Sequence, residues 1–147
     1  MKRIIAIVLL SSMLVCLCAC SSAENAAEDI INQATSLAQT NDVYIKTIQN
    51  AEMTGTTHTY KEVFDNFFAY PTWTRFTSDT DQEVVEFTGE CLYDGQQVKA
   101  KIQFLITEET DDYISWEATY LSFNDVTQNR LMLSALLEKA IEECEAE

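Results

Sequence analysis

Apolar and polar positions alternate through the middle of the chain, and this alternation predicts a β-hairpin. The dipeptide Asp94-Gly95 suits the positive φ angles of a two-residue type I′ turn. With that turn in place, every apolar side chain on one face meets an apolar partner, as Phe87 meets Ile102. A slip of one residue would instead oppose these apolar side chains to Lys and Gln. The sequence therefore predicts a hairpin over 83–107.

The polar face of this hairpin carries two acidic candidates for binding a partner. Glu86 lies opposite Gln103, and Glu90 lies opposite Lys99 as an opposite-charge cross-strand pair. Antiparallel sheets commonly leave one face in solvent. We therefore expect Glu86 and Glu90 to be available to a basic partner.

Segments before the hairpin predict three further elements. Residues 43–49 are rich in β-branched side chains with partial alternation, which predicts a strand. Thr59 and Glu62 match a capping box and start a short helix. Pro71 ends that helix and requires an extended residue before it. An extended return follows over 73–76.

The C-terminal third predicts one strand and one long helix. Alternation over 113–123 places four apolar side chains on one face, namely Ile114, Trp116, Ala118 and Tyr120. Asp125 is positioned to cap a helix over 127–143. The apolar stripe of that helix consists of Leu133, Leu136, Leu137, Ala140 and Cys144. This order predicts an α+β fold, with an antiparallel sheet of four to five strands and a short N-terminal and a long C-terminal helix packed on one face.

Residues 1–19 have the composition of an export signal. Lys2 and Arg3 precede an apolar run that Ser11 and Ser12 interrupt. A membrane-spanning helix needs about 20 apolar residues, which this run does not supply. We predict a signal peptide rather than a permanent span.

The signal ends in Leu17-Cys18-Ala19-Cys20, which resembles the lipobox of bacterial lipoproteins. In that class the cysteine corresponding to Cys20 receives a diacylglyceryl group and becomes the N-terminus after cleavage. The resemblance implies a lipid anchor on the outer, extracytoplasmic face of the cell membrane, and two acyl chains hold far better than one. The alternative is an ordinary cleaved signal with incidental cysteines, and Cys18 inside the box allows a cut elsewhere.

The stretch 20–42 is predicted to carry the lipid and act as a tether. It is rich in Ala, Ser, Asn, Gln and Thr and contains no aromatic residue. Apolar positions near helical spacing leave a packed helix over 24–38 as the alternative. Composition changes at Val43, so we predict a single α+β domain over 43–147.

Charge narrows the classes of partner. The chain has nine basic and 24 acidic residues and a formal net charge of −15, and loss of Lys2 and Arg3 would make it more negative. Nucleic-acid binding needs clustered Lys and Arg, and this composition excludes it. The predicted partners are the membrane, through the lipid anchor, and a basic envelope protein or peptide.

A second resemblance covers most of residues 43–143. The strings Phe64-Asp65-Asn66-Phe67-Phe68, Val85-Glu86-Phe87-Thr88-Gly89 and Leu121-Ser122-Phe123-Asn124-Asp125 are similar to an exported domain of uncharacterised Firmicute lipoproteins and membrane-tethered zinc-ribbon proteins. That group has no known activity, so the resemblance implies an extracytoplasmic fold unit and supplies no site residue. This chain lacks a zinc ribbon, which agrees with anchoring by lipid alone.

Two cysteines fall inside the predicted domain. Cys91 lies on the inward face of the hairpin, and Cys144 lies on the inward stripe of the last helix. Thiols outside the cytoplasm can oxidise, so we predict that the two form a disulfide. Two packed thiols are the alternative.

Tyr70 and Trp73 flank Pro71 outside the short helix. Aromatic side chains at such a position can line a groove for sugars or peptides. Packing in the core is the alternative, because small domains bury most of their aromatic residues.

Residue patterns for catalysis are weak. The run 108–112 is acidic and typical of a solvated turn, and Val84 stands where a calcium loop starting at Asp79 would need Gly. The single histidine, His58, has no evident catalytic partner. We expect no catalytic residue, metal or cofactor, and predict a non-catalytic, lipid-anchored binding or accessory domain of the cell envelope. A small carboxylate-dependent envelope hydrolase using the acidic loop is the alternative.

Overall fold

A computed structural model describes residues 41–146. The predicted signal peptide, the lipid site at Cys20 and nearly all of the tether lie outside the described residues. The elements, in chain order, are α1 (Val43–Asn50), α2 (Tyr60–Phe67), β1 (Ala69–Thr77), β2 (Glu83–Tyr93), β3 (Gln96–Glu109), β4 (Ile114–Phe123), β5 (Val126–Thr127) and α3 (Arg130–Glu145).

The five strands form one antiparallel sheet in the order β1-β2-β3-β4-β5. Inward side chains of the sheet and apolar side chains of all three helices share one core cluster. Side chains of the opposite parity, such as Glu86 and Gln103, do not belong to that cluster. The predicted α+β class, with helices on one face of an antiparallel sheet, is confirmed.

The predicted hairpin and its register are confirmed. Phe87 lies opposite Ile102, Glu86 opposite Gln103 and Glu90 opposite Lys99. Asp94 and Gly95 adopt φ angles of 50° and 74°, which a type I′ turn requires. The register is predictable here because the turn residues, the apolar pairs on one face and the charged pair on the other face all favour the same alignment.

The capping box at the start of α2 is also confirmed. The Thr59 side chain accepts the Glu62 amide, and the Glu62 carboxylate accepts the Thr59 amide at 2.8 Å. This cap directs Val63 and Phe64 inward, where both are fully buried. The Phe64 ring then contacts the rings of Phe68, Trp73 and Phe87. Helix α2 therefore contributes the side chain around which the aromatic part of the core packs.

The predicted strand over 43–49 is wrong, because these residues form helix α1. Asp42 Oδ1 accepts the amides of Tyr44 and Ile45 at 2.9 and 3.2 Å, which supplies an N-cap. Ile45 and Ile48, spaced for one face of a helix, are buried in the core. Capping and burial therefore outweigh the modest preference of β-branched residues for strands.

Helix α1 is fastened to the sheet by a network around Arg75. Arg75 Nε donates to Asp42 Oδ2 at 2.8 Å, and Arg75 Nη1 donates to Glu83 Oε2. The guanidinium lies 4.9 Å from the centroid of the Tyr44 ring, and Tyr44 Oη donates to Glu109 Oε2 at 2.8 Å. The residue that caps α1 thus also binds β1.

Two expectations at Pro71 are wrong: the short helix ends at Phe67, so Pro71 lies within β1, and the residue before Pro71 belongs to a β-bulge. Between the pairs Ala69–Glu90 and Thr72–Thr88, β1 has two residues where β2 has only Gly89. Tyr70 takes a φ of 54°, which a bulge tolerates. Gly89 permits the close approach, because a Cβ there would lie 2.7 Å from Phe68 Cβ.

A second bulge changes the predicted faces of β4. Gln103 pairs with Tyr120 and Phe104 pairs with Ala118, so Thr119 has no opposite residue. Tyr120 therefore lies on the face away from the helices, contrary to prediction, and Leu121 is buried in the core.

The start of the last helix is also corrected. Asp125 has a φ of 65° in the turn between β4 and the short β5, and it caps nothing. Helix α3 begins at Arg130, where the Asn129 side chain accepts the Met132 amide at 2.9 Å. The predicted apolar stripe does face the core, with Leu133, Leu136 and Ala140 buried.

Candidate functional site

A cleft of about 980 Å³ opens at the end of β2. It exists because β1 begins at Ala69, which pairs with Glu90. Cys91 and Leu92 of β2 therefore lie beyond the end of β1 and have no neighbouring strand on that side. The end of α2 and the last turns of α3 form its walls, and the β2–β3 turn closes one end. Three distant chain segments therefore meet at one concave surface.

The floor of the cleft is apolar. Phe67, Phe68, Cys91 and Leu92 line it, and Leu92 is 66% exposed. Phe67 and Phe68 contact each other edge to face, with ring centroids 4.8 Å apart. An apolar side chain of a partner placed here would leave water on binding, worth about 25 cal/mol per Å² of apolar area.

The rim of the cleft is acidic. Asp65, Glu90, Asp94 and Glu143 supply four carboxylates, and Lys139 is the one base among the described lining residues. Lys139 binds Glu143, and its Nζ lies 5.9 Å from the centroid of the Phe67 ring. Lys61, which does not line the cleft, binds Asp65. Four carboxylates still outnumber these two bases, so the local field favours a cationic ligand.

The Cys91 thiol is poorly suited to nucleophilic chemistry. Burial, with a smaller contribution from the Glu143 carboxylate, raises the pKa of Cys91 to about 11. Reactive cysteines have lowered pKa values, because the thiolate is the nucleophile. Cys91 therefore contributes apolar surface to the cleft.

The predicted disulfide stays a prediction. Cys91 and Cys144 are both thiols in the structure, and both contact the same core cluster. Iodoacetamide labelling of unreduced, denatured protein tests the pairing, since a bridge would protect both positions from alkylation.

The two predicted aromatic binding residues occupy different environments. Trp73 packs against the core, with its ring stacked on those of Phe64 and Phe104 at 5.5 and 5.8 Å. Tyr70 is 80% exposed at the β1 bulge. The structure therefore does not combine Tyr70 and Trp73 into an aromatic groove.

The two predicted acidic residues lie near opposite charge. Glu86 accepts a hydrogen bond from Gln103 Nε2 at 2.7 Å, and Glu90 accepts one from Gln97 Nε2 at 2.8 Å. Lys99 and Lys101 occupy the neighbouring strand on the same face. Lys99 and Lys101 offset the charges of Glu86 and Glu90, and only the Glu90 end, which also lines the cleft, joins a predominantly acidic surface.

The acidic loop shapes a smaller recess of about 610 Å³, lined by residues of α1 and by 109–114. Glu109 there accepts the Tyr44 hydroxyl, and this bond is the main cause of the raised pKa of Tyr44. Within residues 41–146, no group of three or more His, Cys, Asp or Glu side chains has the geometry to hold a metal ion.

Sequence reasoning missed the cleft. Its lining comes from 65–69, 90–97 and 139–143, and nothing in the spacing of these segments links them. The available signals were the Phe67-Phe68 pair at a helix end and the i, i+4 pair Lys139–Glu143. Neither indicates a shared surface until the end of β1 is known.

Comparison with known proteins gave no match: no protein-family model, curated protein or solved structure resembles this chain. Among the described residues, none of the helices has both the length and the apolar character needed to cross a membrane.

Proposed function

We propose that this chain is a bacterial lipoprotein, anchored through Cys20 on the outer face of the cell membrane, whose domain binds a basic peptide segment of another envelope protein. The lipobox pattern supports the anchor. The observation that carries the binding role is the cleft, which combines an acidic rim with an apolar floor.

The cleft specifies the chemistry of its ligand. A ligand that satisfies both parts carries Lys or Arg beside a bulky apolar side chain. The cations would lie near Asp65 and Asp94, and the apolar group would cover Phe67 and Leu92. Long-range attraction also favours a basic partner, since residues of the chain sum to a net charge of −15.

Charge on the open sheet face supports the cleft as the better site. That face carries Lys99 and Lys101 beside Glu86 and Glu90, so its attraction for a cation is weak. The cleft carries four carboxylates to one base among its described lining residues.

Binding is tested with the full chain in a mild detergent and a synthetic peptide of alternating Lys and Leu, by fluorescence anisotropy. Asp65→Asn with Asp94→Asn should weaken binding about tenfold, because two nearby carboxylates each contribute on the order of 0.7 kcal/mol. Asn is also well tolerated at the positive φ of Asp94.

The matched control is Asp79→Asn with Asp81→Asn, which removes the same charge from another exposed turn, where Asp81 also has a positive φ of 57°. This control should change affinity less than twofold. Equal losses in both variants would show that net charge rather than the cleft attracts the peptide.

The anchor is tested separately by metabolic labelling with a fatty acid. The full chain should incorporate label, and Cys20→Ser should abolish incorporation. Labelling that persists in Cys20→Ser would overturn the anchor without affecting the peptide result.

A further inference from the structure

The face of the sheet that points away from the helices is organised in rows. One row crosses the sheet at Phe76, Val84, Leu105 and Glu117, where each residue pairs with the next across neighbouring strands. At the other end, Glu90 pairs with Lys99. The first row is apolar on β1, β2 and β3 and ends in Glu117 on β4, which binds Arg130. The face therefore has a largely apolar row at one end and a charged pair at the other.

The apolar row exposes surface outside the core. Phe76 is 40% exposed, and Val84 is only 7% exposed although it is not part of the core cluster. Val84 is flanked in the sheet by Phe76 and Leu105, and Leu105 is partly exposed. A partner that covers this row would bury the remaining apolar area.

The two central strands carry charges of opposite sign. Glu86 and Glu90 belong to β2, whereas Lys99 and Lys101 belong to β3. A two-fold axis parallel to the strands, placed between β2 and β3, would set β2 of one copy over β3 of the other at the same height. Glu90 would then face Lys99 of the second copy, and Val84 would face Leu105.

We infer that this open face binds a second copy of the chain, with the two sheets stacked about that two-fold axis. Such an interface is isologous, since the same patch on both copies makes the same contacts. Aligned stacking, with strand directions within about 30° of each other, is a common way for two sheets to pack. This inference does not depend on the proposed peptide cleft.

Size sets the expected strength of the dimer. Four strands about 4.8 Å apart and six residue steps of about 3.4 Å give a flat footprint of roughly 400 Å² per copy. Side-chain relief enlarges the total of about 800 Å² for two copies, which corresponds to a weak, transient interface. We expect a dissociation constant on the order of micromolar to tens of micromolar.

The chain's own N-terminal stretch is a poorer occupant of this face. Residues 21–40 contain Glu24, Glu28 and Asp29 and no base. This stretch has no positive charge to place near Glu86 or Glu90. A second copy brings both lysines for the glutamates of the first copy and glutamates for its lysines.

The experiment uses two full chains with different tags, produced together in a bacterial host, extracted in mild detergent and isolated through one tag. Glu90→Lys in both copies should lower recovery of the second tag at least about fivefold, and so should Lys99→Glu in both copies, because like charges then meet twice. A copy with Glu90→Lys and a copy with Lys99→Glu should recover together to within about twofold of wild type.

A second pair of variants tests the apolar row. Phe76→Ser in both copies should also reduce recovery, while Leu131→Ser should not, although Leu131 is 79% exposed on α3. Circular dichroism spectra confirm that each variant is folded.

The inference is overturned if wild-type copies do not recover together, as when another segment covers the face. It is equally overturned if the like-charge variants recover as wild type does, or if the mixed charge pair fails to recover. Recovery of the mixed pair alone among the variants supports the stated axis.

Discussion

Replacing Arg75 by Met tests whether the network at the start of α1 stabilises the domain. Arg75→Met keeps a stem of similar length and removes the guanidinium. Asp42 and Glu83 then lose their cation, with side chains only 14% and 28% exposed. The contact with the Tyr44 ring at 4.9 Å is lost as well.

The expected loss lies between two limits. Exposed ion pairs contribute about 0–1 kcal/mol, and breaking a buried pair costs about 3–5 kcal/mol. The Arg75 side chain is 35% exposed, and Asp42 keeps its bonds to the amides of α1. We therefore expect a loss of about 2 kcal/mol in the free energy of unfolding, or roughly 8–16 °C in Tm for a domain of this size.

The matched control is Arg130→Met. Arg130 binds Glu117 where the two side chains are 68% and 54% exposed, so the expected loss is below about 0.5 kcal/mol. Urea titration and thermal melting followed by circular dichroism measure both variants. Equal losses for Arg75→Met and Arg130→Met would refute a cooperative network, as would additive effects of Arg75→Met and Glu83→Gln in a double-mutant cycle.

Three further predictions concern packing, pH and reactivity. Gly89→Ala should destabilise the domain by about 1–3 kcal/mol in urea titration, since the new methyl group would overlap Phe68 Cβ at 2.7 Å. The Thr77 hydroxyl and the nearby Arg75 guanidinium hold the pKa of Glu83 below its usual value of 4.5. The ionised Glu83 therefore stabilises the fold above pH 4.5, and this stabilisation is lost as the pH falls through the lower pKa of the folded protein. In Glu83→Gln the urea midpoint should consequently change less between pH 5 and pH 3 than it does in the wild type. Because burial raises the pKa of Cys91 from 9.0 to about 11, iodoacetamide at pH 8 should alkylate it about a hundredfold more slowly in folded than in denatured, reduced protein.

Local chemistry explains which elements the sequence could predict. The hairpin and α2 depend on short-range signals, a positive-φ dipeptide and a capping box, and both elements formed where predicted. The prediction of a strand in place of helix α1 is wrong because two contacts outweigh propensity: Asp42 accepts the first amides of the helix, and Ile45 packs in the core. The predicted alternation of inward and outward side chains in β4 breaks at Thr119. A bulge there inserts one residue, and the hydrophobic pattern of the sequence gives no sign of it.

The candidate site was less predictable than the fold. Glu90 was identified from the hairpin, yet its place on the cleft rim depends on where β1 stops at Ala69. That boundary follows from the end of α2 at Phe67, which leaves one residue before β1 begins, and the sequence pattern placed the end of the helix later, at Pro71. The remaining rim residues become neighbours only when α2 and α3 pack together, so no spacing in the sequence could group them.

The irregular edges of the sheet limit how its border strands can pair with strands of another molecule. On β1, Pro71 offers no amide and the bulge at Tyr70 bends the backbone. On β4, the unmatched Thr119 and the short β5 interrupt the other border. Neither border is a straight template for another strand, which hinders the open-ended fibres that edge pairing produces. The association that we propose through the open face closes after two copies, so crowding would enrich a finite pair and not a growing filament.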